Sequence, residues 1–181
     1  MTVSRKAILV NGVPASGKST VARAISGAFS WPLLTLDAIK EPFFEHLGVG
    51  DRDYNRKLGR GSYAAIFNLI ADFPPGSTTV VDAWFGFQPV DVLTSHLARA
   101  GVRDVVEIWC HTDASTIANR YRARVGTRPA GHPGLDYLPE LQDLAGRAKP
   151  LGIFPQLDIE TSRPFDLQAV AGWISNQLRT G

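Results

Sequence analysis

Short apolar runs alternate with helix-length amphipathic stretches along the whole chain. The run at 6–10 is continuously apolar after its lysine, as expected of a strand covered on both faces. It predicts a first strand, followed by a helix over 18–29 that Trp31-Pro32 ends. Further strands are predicted at 33–36, 78–81, 102–110 and 153–159, the last interrupted early by Pro155. Helices are predicted over 37–47, 51–73, 90–100, 138–149 and 165–178, with another running from a cap at Thr112 or Asp113 to about 125. Gly59 and Gly61 weaken the 51–73 helix, and Gly101 reads as a C-cap. The segment 126–134, with its Gly, Pro and His, reads as a loop. This alternation implies an α/β fold, a five-stranded parallel sheet with crossover helices. No repeat or linker interrupts it, so 181 residues read as one domain.

Composition narrows the class without naming a chemistry. With 44% apolar and 20% charged residues the chain reads as an ordinary soluble domain, not a disordered one. Its apolar stretches are strand-sized, too short to span a membrane, and its start has no signal-peptide core. The cytoplasm is the expected location. A net charge of +2 argues against a nucleic-acid partner, which asks for a stronger basic excess. The single cysteine, Cys110, excludes an internal disulfide; ending an apolar strand, it reads as a small buried hydrophobe. His46, His96, His111 and His132 show no metal-ligand spacing, and only His132 falls in the 126–134 loop.

Gly12-Val13-Pro14-Ala15-Ser16-Gly17-Lys18-Ser19 fits GxxxxGK[ST] at every required position, with a strand before it and a helix after. The glycines permit backbone that a Cβ would block, turning successive N–H groups toward phosphate oxygens. The helix N-terminus adds partial positive charge there. From Gly12 to Thr20 this segment is therefore expected to hold a nucleoside triphosphate. Lys18 would meet the β- and γ-phosphates, and Ser19 would offer a hydroxyl oxygen to Mg²⁺.

The order of parts resembles the small P-loop kinases, the group of adenylate, shikimate and gluconate kinases, chloramphenicol phosphotransferase and zeta toxins. The resemblance spans nearly the whole chain, although only the loop is highly specific. It implies a three-layer α/β/α P-loop NTPase fold with a lid at about 120–136, and transfer of the γ-phosphoryl of ATP, with Mg²⁺, to a small-molecule hydroxyl. A polynucleotide or RNA kinase, or an ATPase or switch without an acceptor, are the alternatives. In the group an acidic residue often lies just past the second strand and orients or deprotonates the acceptor; here that position is Asp37, for which a plain helix N-cap is the alternative, and both roles could hold at once. Asp82 ends a hydrophobic strand and resembles a Walker B or substrate-side acid, able to hold a metal-bound water or an acceptor hydroxyl; a strand-end turn residue is the plainer alternative. Ala83 after it lacks the second acid of a motor ATPase. Arg120 and Arg124 share a helix face and resemble lid arginines, which implies Arg120 on the adenine and Arg124 with Arg128 on transition-state charge. A solvated last turn complementing the helix dipole would also explain them. Arg163 and Pro164 fall where the group borders the adenine.

The acceptor pocket is expected among aromatics and acids near the strand ends: Phe44, Trp84 and Phe85 with Asp37, Glu41 and Asp82. Aromatic faces plus carboxylates suit a sugar, an aminosugar or an aromatic alcohol. Phe43 and Phe44 could instead pack a helix onto the core. Arg52, Arg56, Lys57 and Arg60 could receive an anionic acceptor or form a solvated helix face.

Overall fold

The computed structural model describes residues 4–179. In chain order it contains β1 (Arg5–Asn11), α1 (Lys18–Phe29), β2 (Leu33–Thr35), α2 (Leu36–Leu47), α3 (Arg52–Asp72), β3 (Thr78–Asp82), α4 (Val90–Arg99), β4 (Val102–His111), α5 (Ala114–Val125), α6 (Leu138–Arg147), β5 (Gln156–Glu160) and α7 (Leu167–Arg179). The five strands form one sheet in the order β2-β3-β1-β4-β5, and every pairing is parallel.

Strand periodicity of two sends alternate side chains to opposite faces, and here both faces are dry. Ala7, Leu9 and Val81 join Tyr63, Ile66 and Phe67 of α3 and Leu93 and Leu97 of α4 in one core. Ile8, Val10 and Val80 join Val21 and Ile25 of α1 and Val170 and Ile174 of α7 in the other. The result is the parallel sheet with crossover helices that the pattern predicted, in the three-layer α/β/α arrangement that the resemblance implied. No helix among the described residues is long and apolar enough to cross a membrane.

Local propensity gives way to packing in α3. It stays helical through Gly59 and Gly61, each costing about 1 kcal/mol against alanine. Tyr63, Ile66, Phe67 and Ile70, spaced three or four apart, are buried against the sheet, and each such side chain contributes about 1.5–3 kcal/mol. Most boundaries shift by no more than two residues, and two of the differences have a clear local cause. The last strand begins at Gln156, not 153, because Gly152 takes a positive φ of 70° and pairing starts with the Pro155 carbonyl, which accepts from Glu107 N at 2.8 Å. Helix α2 starts at Leu36, so Asp37 is not its cap; Thr35 Oγ1 accepts from Ala38 N at 3.1 Å instead.

Register sets the level of the site. Asp82 is paired across β3 with Val10 on one side and with Thr35 on the other. The residues just past these three positions open onto the same carboxyl edge of the sheet, where ligands bind in open parallel sheets.

Candidate active site

Strand β1 runs directly into the phosphate loop. Gly12 (φ 153°) and Gly17 (φ 87°) both lie where a Cβ is disfavoured, and Ala15 (φ 66°) is held there despite its Cβ. A Cβ on Gly12 would collide with the Cys110 carbonyl and Ser16 Oγ, so the cradle is sterically closed to other residues. Gly17 caps α1 without any side-chain hydrogen bond, leaving the helix N-terminus to face an anion.

The loop is anchored by a pair that the sequence reading missed. Asn11 Oδ1 accepts from Gly12 N at 2.8 Å and from Phe85 N at 3.0 Å, while Nδ2 donates to Glu107 Oε1 at 2.7 Å. Leu151 N donates to both Glu107 oxygens, at 2.9 and 3.1 Å. Burial pushes the Glu107 carboxyl up, against the lowering effect of the Asn11 and Leu151 donors. A lone acid amid the apolar strand Val105-Val106-Glu107-Ile108 was the signal available in the sequence.

Two clefts flank the loop. The first, about 630 Å³, brings Gly17 to Thr20 together with Arg120, Thr161, Arg163 and Pro164. Arg120 is not free there: it donates to Thr161 Oγ1 at 3.0 Å and to the Thr161 carbonyl at 2.5 Å. Thr161 Oγ1 in turn donates to the Ser16 carbonyl at 2.6 Å, so α5, the loop after β5 and the phosphate loop are tied together. Arg163 is at the rim with its side chain 84% exposed.

The second cleft, about 860 Å³, holds Lys18, Asp37, Glu41, Asp82, Trp84 and Arg128 on its walls. Lys18, Ser19 and Arg124 reach both clefts. Arg128 Nη2 lies 2.9 Å from Asp37 Oδ2, and His132 Nε2 lies 2.8 Å from Glu41 Oε1. These pairs dock the segment 126–134 onto α2, helped by Asn55 Nδ2 donating to the Gly131 carbonyl at 2.8 Å. Burial works against the Asp37 charge, but Arg128, Lys18, His132 and Lys40 outweigh it and hold the carboxyl below the usual range. Arg124 has a buried Nε with no hydrogen-bond partner, and its guanidinium sits 5.4 Å from the Tyr121 ring centroid.

Several expected residues sit elsewhere. Phe85 is 1% exposed and packs on Tyr63 in the core, so it is not on the cleft wall as expected. Phe44 is also buried and lies under Gly131 and His132, supporting the docked segment rather than lining the cleft. The first part of the expected lid, 120–125, is the end of α5: Tyr121 is buried with Ile117 and Leu138, and the chain leaves the helix only at Gly126. Cys110 is fully buried as expected, and burial pushes its thiol up to about 12.

A hard divalent cation suits the oxygens beside the loop. Asp82 Oδ1 and Ser16 Oγ are buried and make no hydrogen bond within the protein, and Ser19 offers a third oxygen. Asp37, Glu41 and His132 also bring three potential ligand atoms within 4.8 Å of one another. That group is already committed, with Arg128 on Asp37 and His132 on Glu41, and the fixed guanidinium repels a second cation.

The geometry has close counterparts among solved structures. A protein of Chloroflexus aurantiacus j-10-fl provisionally described as a kinase superposes with a TM-score of 0.80 at 25% identity, covering 98% of this chain and 99% of its own. The APS kinase of Mycobacterium tuberculosis, in complex with AMPPNP and APS, has a TM-score of 0.61 at 17% identity, covering 98% and 99%. A gluconokinase from Sinorhizobium meliloti 1021 has a TM-score of 0.57 at 20% identity, covering 99% and 93%. The last two bear on the fold alone. No curated protein matches the sequence. The family model of the AAA domain matches residues 8–134, and with the phosphate loop and parallel sheet above, the chain belongs to the AAA domain family and has the architecture of the small P-loop kinases.

Proposed function

We propose that this chain is a kinase that moves the γ-phosphoryl group of ATP to a hydroxyl of a small molecule bound in the second cleft. The observation that carries the reading is the meeting of Lys18 and Asp37 on one cleft: the phosphate-loop cation and the carboxylate at the start of α2 are near enough for Lys18 to help keep Asp37 ionised. Lys18 and the loop N–H groups would bind the β- and γ-phosphates, while Asp37 would accept a hydrogen bond from the acceptor hydroxyl and aim its oxygen at phosphorus. The bond from the γ-phosphorus to the leaving diphosphate breaks as the new P–O bond forms, and the hydroxyl proton passes to Asp37 or to solvent. Because Asp37 is held below the usual carboxylate range it is a weak base, which suits a loose transition state that needs alignment more than proton removal. Ser19 and Asp82 would hold Mg²⁺, which supplies charge neutralisation between the phosphates. Arg124, whose buried Nε has no hydrogen-bond partner within the protein, would meet charge on the transferring group.

The test is a screen for ATP consumption over sugars, aminoglycosides, nucleosides and oligonucleotides, with acceptor-free hydrolysis as the control. Product carrying the phosphoryl group on a small-molecule hydroxyl supports the reading. Equal ATP loss with and without every acceptor, or transfer confined to oligonucleotides, refutes it.

A further inference from the structure

The second cleft is much more basic than the chain as a whole. The chain is +2 overall, yet this cleft is lined by nine Lys and Arg side chains against four Asp and Glu. Most of these cations already have a task or a partner. Lys18 and Arg124 line the phosphate-loop cleft as well, Arg128 holds Asp37, and Lys40 is attracted by Asp37 and Glu41 with its ammonium 5.3 Å from the Phe44 ring centroid. Arg52 bonds both oxygens of Glu140, at 2.7 and 3.0 Å. Arg147 pairs with Asp143.

Two are left over. Arg56 and Arg60 make no ion pair or hydrogen bond among the described residues; Asp53, one turn before Arg56 and two before Arg60, is paired with Lys57 at 2.7 Å and attracts the two arginines only at longer range. They stand one helical turn apart on α3, on the face that Arg52, Asn55 and Gly59 also present to the cleft. Like charges at this spacing repel and destabilise a helix, a cost that an anion between them would reverse. An independent observation points the same way. Gln88 Nε2, in the lining of this cleft, is a buried donor with no hydrogen-bond partner within the protein, whereas the unpartnered Asn55 Oδ1 is an acceptor and suits a hydroxyl of the same ligand.

We infer that the acceptor carries, besides the hydroxyl that is phosphorylated, an anionic group (carboxylate, sulfate or phosphate) bound by Arg56 and Arg60. The inference rests on the kinase reading for the hydroxyl, but the anion site stands on its own charges. Guanidinium pairs such oxyanions in a planar fork that a neutral sugar cannot engage. The two arginines are therefore specificity-determining residues, and Trp84 gives the same cleft an apolar surface.

Two measurements test it on the full chain. The first titrates inorganic sulfate by calorimetry into protein saturated with AMPPNP and Mg²⁺, so that the phosphate loop is filled. Sulfate should bind to the wild type and to Arg103→Gln, which changes an exposed arginine on β4, and at least tenfold more weakly to Arg56→Gln/Arg60→Gln. No sulfate binding, or equal binding in the double variant, overturns the inference. The second compares matched acceptors, gluconate with glucose and shikimate with its methyl ester. The anionic member should have a kcat/KM at least tenfold higher, and the double variant should erase that preference while leaving the ATP KM within twofold. Equal use of the neutral members overturns the anion site and leaves the kinase reading standing. Sulfate bound at these arginines with no transfer to any hydroxyl keeps the anion site and overturns the kinase reading.

Discussion

Arg128 from the segment after α5 and Asp37 at the start of α2 are joined at 2.9 Å, so the candidate acceptor-binding carboxylate is kept ionised and oriented by a segment 91 positions away. Thr35, not Asp37, caps α2, which separates the role of Asp37 from helix stability. Asp37→Asn should therefore leave nucleotide affinity nearly unchanged and lower the melting temperature only slightly, through loss of the half-exposed ion pair with Arg128. Transfer should fall about 10²-fold, the lower end for a general base, because a carboxyl of lowered pKa contributes more by alignment than by basicity. Nucleotide titration, a melt and a transfer assay on the same variant check this; weakened nucleotide binding would place Asp37 in the metal's surroundings instead.

Arg120 and Arg124 share a face of α5 but have opposite situations. Arg120 ties Thr161 to the phosphate loop, so Arg120→Ala should lower the melting temperature by several degrees and raise the ATP KM roughly tenfold, through the loss of two hydrogen bonds to a charged group. Burial first, and then Arg128, work against the Arg124 charge. Arg124→Ala should thus cost little or no stability, yet lower kcat by about 10²–10³-fold if the guanidinium meets charge only in the transition state. Steady-state kinetics with thermal melts separate the two; similar small effects at both sites would return them to a structural role.

His132 gives the docked segment a pH dependence. Burial and Arg128 lower its pKa, against the raising effect of Glu41 and Asp37, and Phe44 packs on its remaining side. The neutral ring donates Nε2–H to Glu41, so Arg128 Nη2 at 3.4 Å crowds it without a bond. A folded pKa below the usual ~6.5 means stability that is full above that value and is lost as pH falls through the lower folded one. Proteolysis within 126–134 should accelerate as pH drops from neutral toward 5, and His132→Gln should flatten the profile. An unchanged profile in the variant would assign the effect to other groups.

Glu107 should tolerate amide chemistry but not truncation. Glu107→Gln keeps an oxygen for Asn11 and Leu151 and should move stability by about 1 kcal/mol or less, whereas Glu107→Ala leaves both donors buried and unpaired and should cost about 2–4 kcal/mol. Burial raises the folded pKa of Glu107, so its contribution is full at low pH and lost as pH rises through the folded value. The wild type should lose ground to the Gln variant over that rise. Denaturant melts from acid to neutral pH would show whether the gap opens.

Much of the architecture is legible without coordinates because its causes are local. The β1 run, the glycine-lysine loop and the α1 pattern specify a strand, an anion cradle and a helix through backbone sterics and periodicity within some two dozen residues. Buried Cys110 and the long α3 follow from the same periodicity. What local pattern could not supply is who faces whom. Arg128 and Asp37 are 91 positions apart, Asn11 and Glu107 are 96, and Arg120 and Thr161 are 41. Whether Phe85 enters the core while Trp84 lines the cleft, and whether an arginine on α3 is paired with Glu140 or left facing a ligand, depends on strand order and on the docking of α6. Periodicity sets which side of an element is apolar, but only the packed sheet brings its polar edges together, and hydrogen bonds between distant residues form only once that packing has offset the entropy of bringing them close.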